Sequence, residues 1–140
     1  QDIEMGDEVG LDVIDSFALG IDVTRREKQT ELKKKGLPWA LSKSFLGSAI
    51  VGEFKPRNLF KDPESISFQL FINKVLKQEG NLKNMIFPLQ TILKTLLEFT
   101  PLKKGDLIFT GTPEGVGKIK KGDAFEMTFP EINFREEGKL

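Results

Sequence analysis

The sequence predicts a mainly β fold with small α elements, an α+β domain. Three observations predict it. Short apolar stretches recur between turn residues, 13 glycines and 7 prolines are spread over 140 residues, and one segment alone carries a strong helical period. A chain of this length is expected to be a single domain, residues 1–140, able to bury a core without disulfides.

Residues 9–17 set Val9, Leu11, Val13, Ile14 and Phe17 among acidic side chains, which predicts a short amphipathic helix. Residues 17–23 read as a buried strand with Gly20 inside it, leading to Asp22, Val23 and Thr24 at its end. Residues 25–35 are densely charged and run into Gly36, Leu37, Pro38 and Trp39, so they form a solvated helix or loop closed by a turn. Residues 66–72 then alternate, and Val75 resumes after Asn73 and Lys74, a hairpin signal in which Asn73 tolerates positive φ. Pro88 opens a helix over residues 88–99, because Leu89, Ile92, Leu93, Leu96 and Leu97 follow the i, i+3, i+4, i+7, i+8 pattern until Thr100 and Pro101 end it. Lys103-Lys104-Gly105-Asp106 is a turn feeding a strand at residues 106–110, and Lys120-Lys121-Gly122-Asp123 repeats that turn before a strand at residues 124–129. Phe17, Phe45, Phe68, Phe71, Phe87 and Phe109 are expected in the core.

Composition narrows the chemistry. Lysine plus arginine and aspartate plus glutamate each number 21, so no basic surplus points to nucleic acid or an anionic membrane, and small-molecule partners or self-association fit better. No apolar run reaches the roughly 20 residues a bilayer requires, which predicts a soluble protein. There is no cysteine, histidine or tyrosine, so a thiolate, an imidazole base and the commonest transition-metal ligand are all missing. Catalysis within this sequence must use carboxylates, lysines or hydroxyls, and a carboxylate set suits a hard ion, Mg2+, Mn2+ or Ca2+. The chain starts at Gln1 rather than methionine, with an acidic start unlike a signal peptide, which suggests a trimmed or partial chain.

Four stretches carry a family resemblance. They are Phe17-Ala18-Leu19-Gly20-Ile21-Asp22-Val23-Thr24-Arg25-Arg26-Glu27, then Lys35-Gly36-Leu37-Pro38-Trp39-Ala40-Leu41-Ser42-Lys43-Ser44-Phe45. Gln78-Glu79-Gly80-Asn81 with Met85-Ile86-Phe87 follows, and last comes the glycine-rich run from Lys104 through Thr110-Gly111-Thr112-Pro113-Glu114-Gly115-Val116-Gly117. In this order they resemble the fumarylacetoacetate hydrolase family, in its acylpyruvase and oxaloacetate decarboxylase branch. The resemblance implies the C-terminal part of the catalytic domain, a mixed β-sheet roll with its N-terminal part missing. It also implies a homodimer and a cytoplasmic or mitochondrial location.

The resemblance assigns roles residue by residue. Asp22, which taken alone reads as a turn cap, becomes a metal ligand; Asp2 and Glu4, in a run similar to the family's Glu-x-Glu strand, are its candidate partners. Lys43 becomes the catalytic lysine, and its apolar neighbours Trp39, Leu41 and Phe45 predict a buried ammonium with a lowered pKa. Arg26 offers a planar fork for a substrate carboxylate, with Gln29 three residues on along the same helical face. Gly111 and Thr112 are expected to hold substrate as well, with Thr112 also a catalytic candidate; the loop lacks the spacing of a nucleotide phosphate loop. Asp22, Lys43 and Thr112 are expected to converge on one cavity. The implied activity is metal-dependent chemistry on a 2-keto acid through an enolate: acylpyruvate hydrolysis, oxaloacetate decarboxylation or keto–enol isomerisation. The sequence holds no histidine for a hydrolytic dyad, which favours the latter two. The alternative is a truncated or degenerate member acting as a binding or structural module.

Overall fold

The computed structural model describes residues 2–140. The predicted mainly β class holds. Ser16–Phe17 (β1) pairs with Lys55–Pro56 (β4), and Gly20–Asp22 (β2) pairs with Ala49–Val51 (β3). A four-stranded sheet runs in the order β6-β5-β7-β8, from Val75–Asn81 (β6), Ser67–Ile72 (β5), Ala124–Phe129 (β7) and Phe134–Lys139 (β8). Every strand pairing among the described residues is antiparallel, so the mixed pairing expected within the β class is not found there. Part of the reason is topological. A parallel neighbour needs a long crossover, and tight turns exclude it for β5–β6 and β7–β8; β1–β4, β2–β3 and β5–β7 are antiparallel despite long connections. Asn73 and Lys74, both at positive φ (49° and 67°), make the first of these turns as a two-residue hairpin loop.

Among the described residues three α-helices accompany the sheets: Arg26–Lys34 (α1), Ala40–Lys43 (α2) and Leu89–Leu97 (α3). In α3 the predicted stripe buries Leu89, Leu93 and Leu97, and Pro88 sits at the N-cap. No helix among the described residues is long and apolar enough to cross a membrane. The main core joins the two-stranded elements to the large sheet through Leu19, Ile21, Phe60, Ile66, Met127 and Phe129. Phe60 is its hinge, meeting Phe17 edge-on at 5.4 Å and Phe129 edge-on at 5.1 Å, geometries that favour the aromatic quadrupoles.

Four expectations fail locally. The amphipathic helix at residues 9–17 is only a 3-10 turn, Leu11–Val13, closed by the Ile14 amide on the Leu11 carbonyl. Pairing of Ser16 and Phe17 with β4 forces extended backbone just beyond, and Val13 remains exposed, so no apolar stripe is available to bury a longer helix. The strand at residues 17–23 is split at Ala18 and Leu19 into β1 and β2, which join different partners. Residues 106–110 form no strand: they pair with no neighbour among the described residues, and apolar composition alone does not make a strand. Leu107, Ile108 and Phe109 there are 55%, 37% and 48% exposed, and Phe87 is 62% exposed, so Phe87 and Phe109 are not core residues.

Candidate active site

The site begins with the closure of one long loop. After β2 the chain makes α1 and α2 and returns as β3, whose Ala49 lies opposite Asp22. Residues 23–25 are pinned to the returning segment by two backbone bonds, from the Val23 amide to the Ser48 carbonyl (2.7 Å) and from the Arg25 amide to the Ser42 carbonyl (3.0 Å). Ser42 is fully buried and its hydroxyl donates to the Trp39 carbonyl at 2.6 Å, which fixes the start of α2. The Arg25 guanidinium stacks on the Phe45 ring at 4.2 Å, closing the far side.

This closure brings Lys43 to Asp22 across 21 positions of sequence. The lysine Nζ donates to Asp22 Oδ2 at 2.5 Å and to the Thr24 hydroxyl at 2.8 Å. The Lys43 and Asp22 side chains are 35% and 32% exposed, so the pair is partly screened and open to a ligand. The apolar enclosure expected around Lys43 is absent. Trp39 and Leu41 are 48% and 64% exposed, and the Trp39 ring faces the Lys33 ammonium at 4.3 Å. Polar partners, not burial, hold Lys43.

Arg26 and Gln29 share one face of α1, as their spacing requires: Arg26 Nη1 donates to Gln29 Oε1 at 2.8 Å. Gln29 is buried, so it braces the guanidinium from behind. Arg26 lines a broad groove of about 2140 Å³ whose walls include Asp22, Thr24, Phe109, Gly111 and Thr112. A smaller cavity of about 600 Å³ is lined by Asp22, Lys43, Phe45 and Phe109 among others. Asp22 and Phe109 stand at the junction of the two. Asp22 and Lys43 thus meet directly, while Thr112 shares only the larger groove with Asp22.

The glycine-rich loop is held differently. Gln78 Nε2 on β6 donates to the Pro113 carbonyl at 3.0 Å, and Gly115 at φ +94° lies so close to β6 that a Cβ would overlap the Lys77 carbonyl oxygen. Gly111 also has positive φ, +112°, with open space around it. The loop is therefore anchored to the large sheet rather than to the lysine hairpin.

The N-terminal carboxylates do not join Asp22. Asp2 Oδ1 accepts the Lys104 amide at 3.4 Å, while the Glu4 amide binds Asp7 and Glu4 lines neither cavity. Asp2 and Glu4 flank Ile3, which is tied to Leu102 by an antiparallel bridge; Asp2 lines the broad groove and Glu4 does not. Among the described residues no group of three acidic or other ligating side chains could hold a metal ion. A hard divalent ion takes six or more oxygens, so Asp22 alone does not fit one, and Asp2 and Glu4 as arranged do not complete the set.

Thr24 is the site neighbour that sequence reasoning passed over. The signal was present, because residues two apart on extended chain face the same side, and Thr24 stands two after Asp22. Phe109, expected in the core, stands on the cavity wall.

A lysine, a carboxylate and a hydroxyl gathered at a strand end of a mainly β scaffold is the kind of constellation that enzymes use. The chain belongs to the fumarylacetoacetate hydrolase family: residues 2–137 match the family model described as fumarylacetoacetate (FAA) hydrolase C-terminal. It is 44% identical over 116 residues to the mitochondrial oxaloacetate tautomerase FAHD1 of Mus musculus, covering 83% of this chain and 52% of that protein. The chain therefore spans about half the length of this relative. Among solved structures, a yeast fumarylacetoacetate hydrolase family protein, ynq8, superposes with a TM-score of 0.88 at 30% identity, over 99% of this chain and 62% of that one. Fumarylpyruvate hydrolase from Pseudomonas aeruginosa, in complex with Mn2+ and pyruvate, gives 0.83 at 28% identity, over 97% and 60%.

Proposed function

We propose that this chain carries the lysine side of a site for keto–enol interconversion of a 2-keto acid of the oxaloacetate class. The observation that carries the reading is the reach of Lys43 Nζ to Asp22 and Thr24 at 2.5 and 2.8 Å. Ketonisation moves a proton from the enol oxygen while another arrives on the adjacent carbon, and no group is lost. An ammonium beside a carboxylate is suited to this, since one gives a proton where the other accepts one. Lys43 and Thr112 are the proposed catalytic groups; Arg26, braced by Gln29, and the Gly111–Thr112 turn are the proposed substrate carboxylate holders. The name of the mouse relative supports tautomerisation over decarboxylation or acylpyruvate hydrolysis, and supports a mitochondrial rather than a cytoplasmic location.

The Mn2+ in the Pseudomonas relative supports a divalent ion, Mg2+, Mn2+ or Ca2+, for the whole protein. The described residues offer it Asp22, with Asp2 and Glu4 apart. That shortage favours the second reading, a non-catalytic module. The two separate in one assay, the ultraviolet decay of enol oxaloacetate with and without Mn2+. Acceleration above the buffer rate supports the enzyme, and none from a folded chain supports the module. Zero net charge and the exposed Leu46, Ile86 and Phe99 support a homodimer. Light scattering then gives twice the 15.8 kDa chain mass.

A further inference from the structure

We infer that Thr24 is a positioning residue for Lys43, fixing which ammonium proton is left for the substrate. The inference rests on the proposed role of Lys43 and deepens it. A lysine ammonium has three donors and no acceptor. Two are committed, to Asp22 Oδ2 at 2.5 Å and to the Thr24 hydroxyl at 2.8 Å, so the direction of the third is set. A single ion pair leaves an ammonium free to rotate about its partner; a second acceptor at a different angle removes that freedom.

Thr24 is built for the task. The backbone on each side of it is pinned to the segment that carries Lys43, by the Val23 amide on Ser48 and the Arg25 amide on Ser42. Its hydroxyl therefore keeps one distance to the lysine. A threonine before a helix would ordinarily cap it, yet α1 has Arg25 at its N-cap with no side-chain cap bond, and the Thr24 oxygen takes up the lysine instead. Asp22 ends β2 and Thr24 follows two residues on, and both side chains reach the same ammonium and grip it between them. Lys43 sits on the four-residue α2, too short to hold a long side chain by itself.

The test compares Thr24→Val with Thr24→Ser and measures two things in each. The first is oxaloacetate ketonisation. T24V should lower kcat about tenfold, the loss of one charge-assisted hydrogen bond, with KM unchanged, and T24S should recover most of it. The second is the rate at which Lys43 is reductively methylated, followed by peptide mass spectrometry. T24V should raise it severalfold relative to the other lysines, and T24S should not. If T24V loses the native circular dichroism, T24A, which removes the hydroxyl without adding a methyl, takes its place in both measurements. Wild-type kcat together with wild-type labelling in the valine variant overturns the inference. If the wild-type chain shows no ketonisation, the catalytic reading fails by itself, and the labelling comparison alone decides whether Thr24 positions the lysine.

Discussion

Residues 20–51 and residues 103–123 each carry groups expected at the site, yet they are held in opposite ways. The first segment leaves β2 and returns as β3, and its own backbone bonds at Val23, Arg25 and Ser42 lock the excursion. The second opens with a turn in which the Asp106 amide meets the Lys103 carbonyl and the Lys103 amide meets the Asp106 carboxylate. It closes on the same turn, at Lys120 and Asp123. Between them the chain has no strand partner among the described residues, and Gln78 is the side chain that hydrogen-bonds to it, at the Pro113 and Glu114 carbonyls. A pair of residues far apart in sequence becomes precise when the intervening chain closes on itself. A loop tethered at two turns and one side chain keeps its contents near the site without fixing them.

This contrast can be broken at several points. Lys43→Met should produce the largest effect, a fall of about 10²- to 10⁴-fold in ketonisation rate, the usual worth of a positioned proton-transfer group. The fold should persist by circular dichroism, because Lys43 is partly exposed and outside the core. Near-wild-type turnover in that variant would place the chemistry elsewhere.

Two glycines sharpen the second segment. Gly115→Ala meets both a positive φ and the Lys77 carbonyl, so a destabilisation of about 3 kcal/mol is expected in urea titrations. Gly111→Ala meets open space and only the backbone strain, about 1 kcal/mol. Equal effects of the two would show that the loop is not packed on β6.

Arg25→Ala removes the stack on Phe45 and should cost about 0.5–1 kcal/mol in thermal or urea unfolding. Because Phe45 lines the smaller cavity, KM should rise alongside. A stability loss with unchanged KM would separate the stack from the site.

Acid titration should have the smallest effect. Hydrogen bonds from Lys35 and then Lys28 hold the Glu31 carboxyl down to about 2, and Asn73 with the Lys120 amide lowers that of Asp123. In both, the folded value lies below the unfolded one, so their contributions are complete above the ordinary carboxylate range. They fade as pH falls through the folded values. Melting temperatures at pH 6 and pH 3 should differ less in Glu31→Gln, which belongs to α1, and in Asp123→Asn, which belongs to the second segment. No change in either slope would place the acid sensitivity in other carboxylates.

What the sequence made legible follows the same division. Residues 88–99 announced α3 because five leucines and isoleucines fall on one stripe, and Asn73 announced a hairpin that needs only local positive φ. The Lys103 and Lys120 turns were legible as repeated grammar, and Arg26 with Gln29 as helical spacing. Residues 9–17 misled because their apolar spacing suits a helix while Phe17 must pair with Lys55, a long-range demand invisible in the window. The same holds for residues 106–110, whose composition suits a strand although they pair with no neighbour among the described residues. At the site, the union of Asp22 and Lys43 was readable only through family resemblance, since no local pattern links positions 22 and 43. The polar setting of Lys43 is not legible from its neighbours, because Trp39 and Leu41 look like apolar walls in sequence and yet lie exposed at the four-residue α2.

The hydrogen bond from the Val23 amide to Ser48 has a consequence for motion. Opening at this bond loosens the strand end next to Asp22, while the Arg25 amide still ties the neighbouring backbone to Ser42, beside Lys43. Hydrogen–deuterium exchange at the Val23 amide therefore reads how often this end of the hairpin opens, and a ligand that binds only the closed form must slow that exchange in proportion to its occupancy.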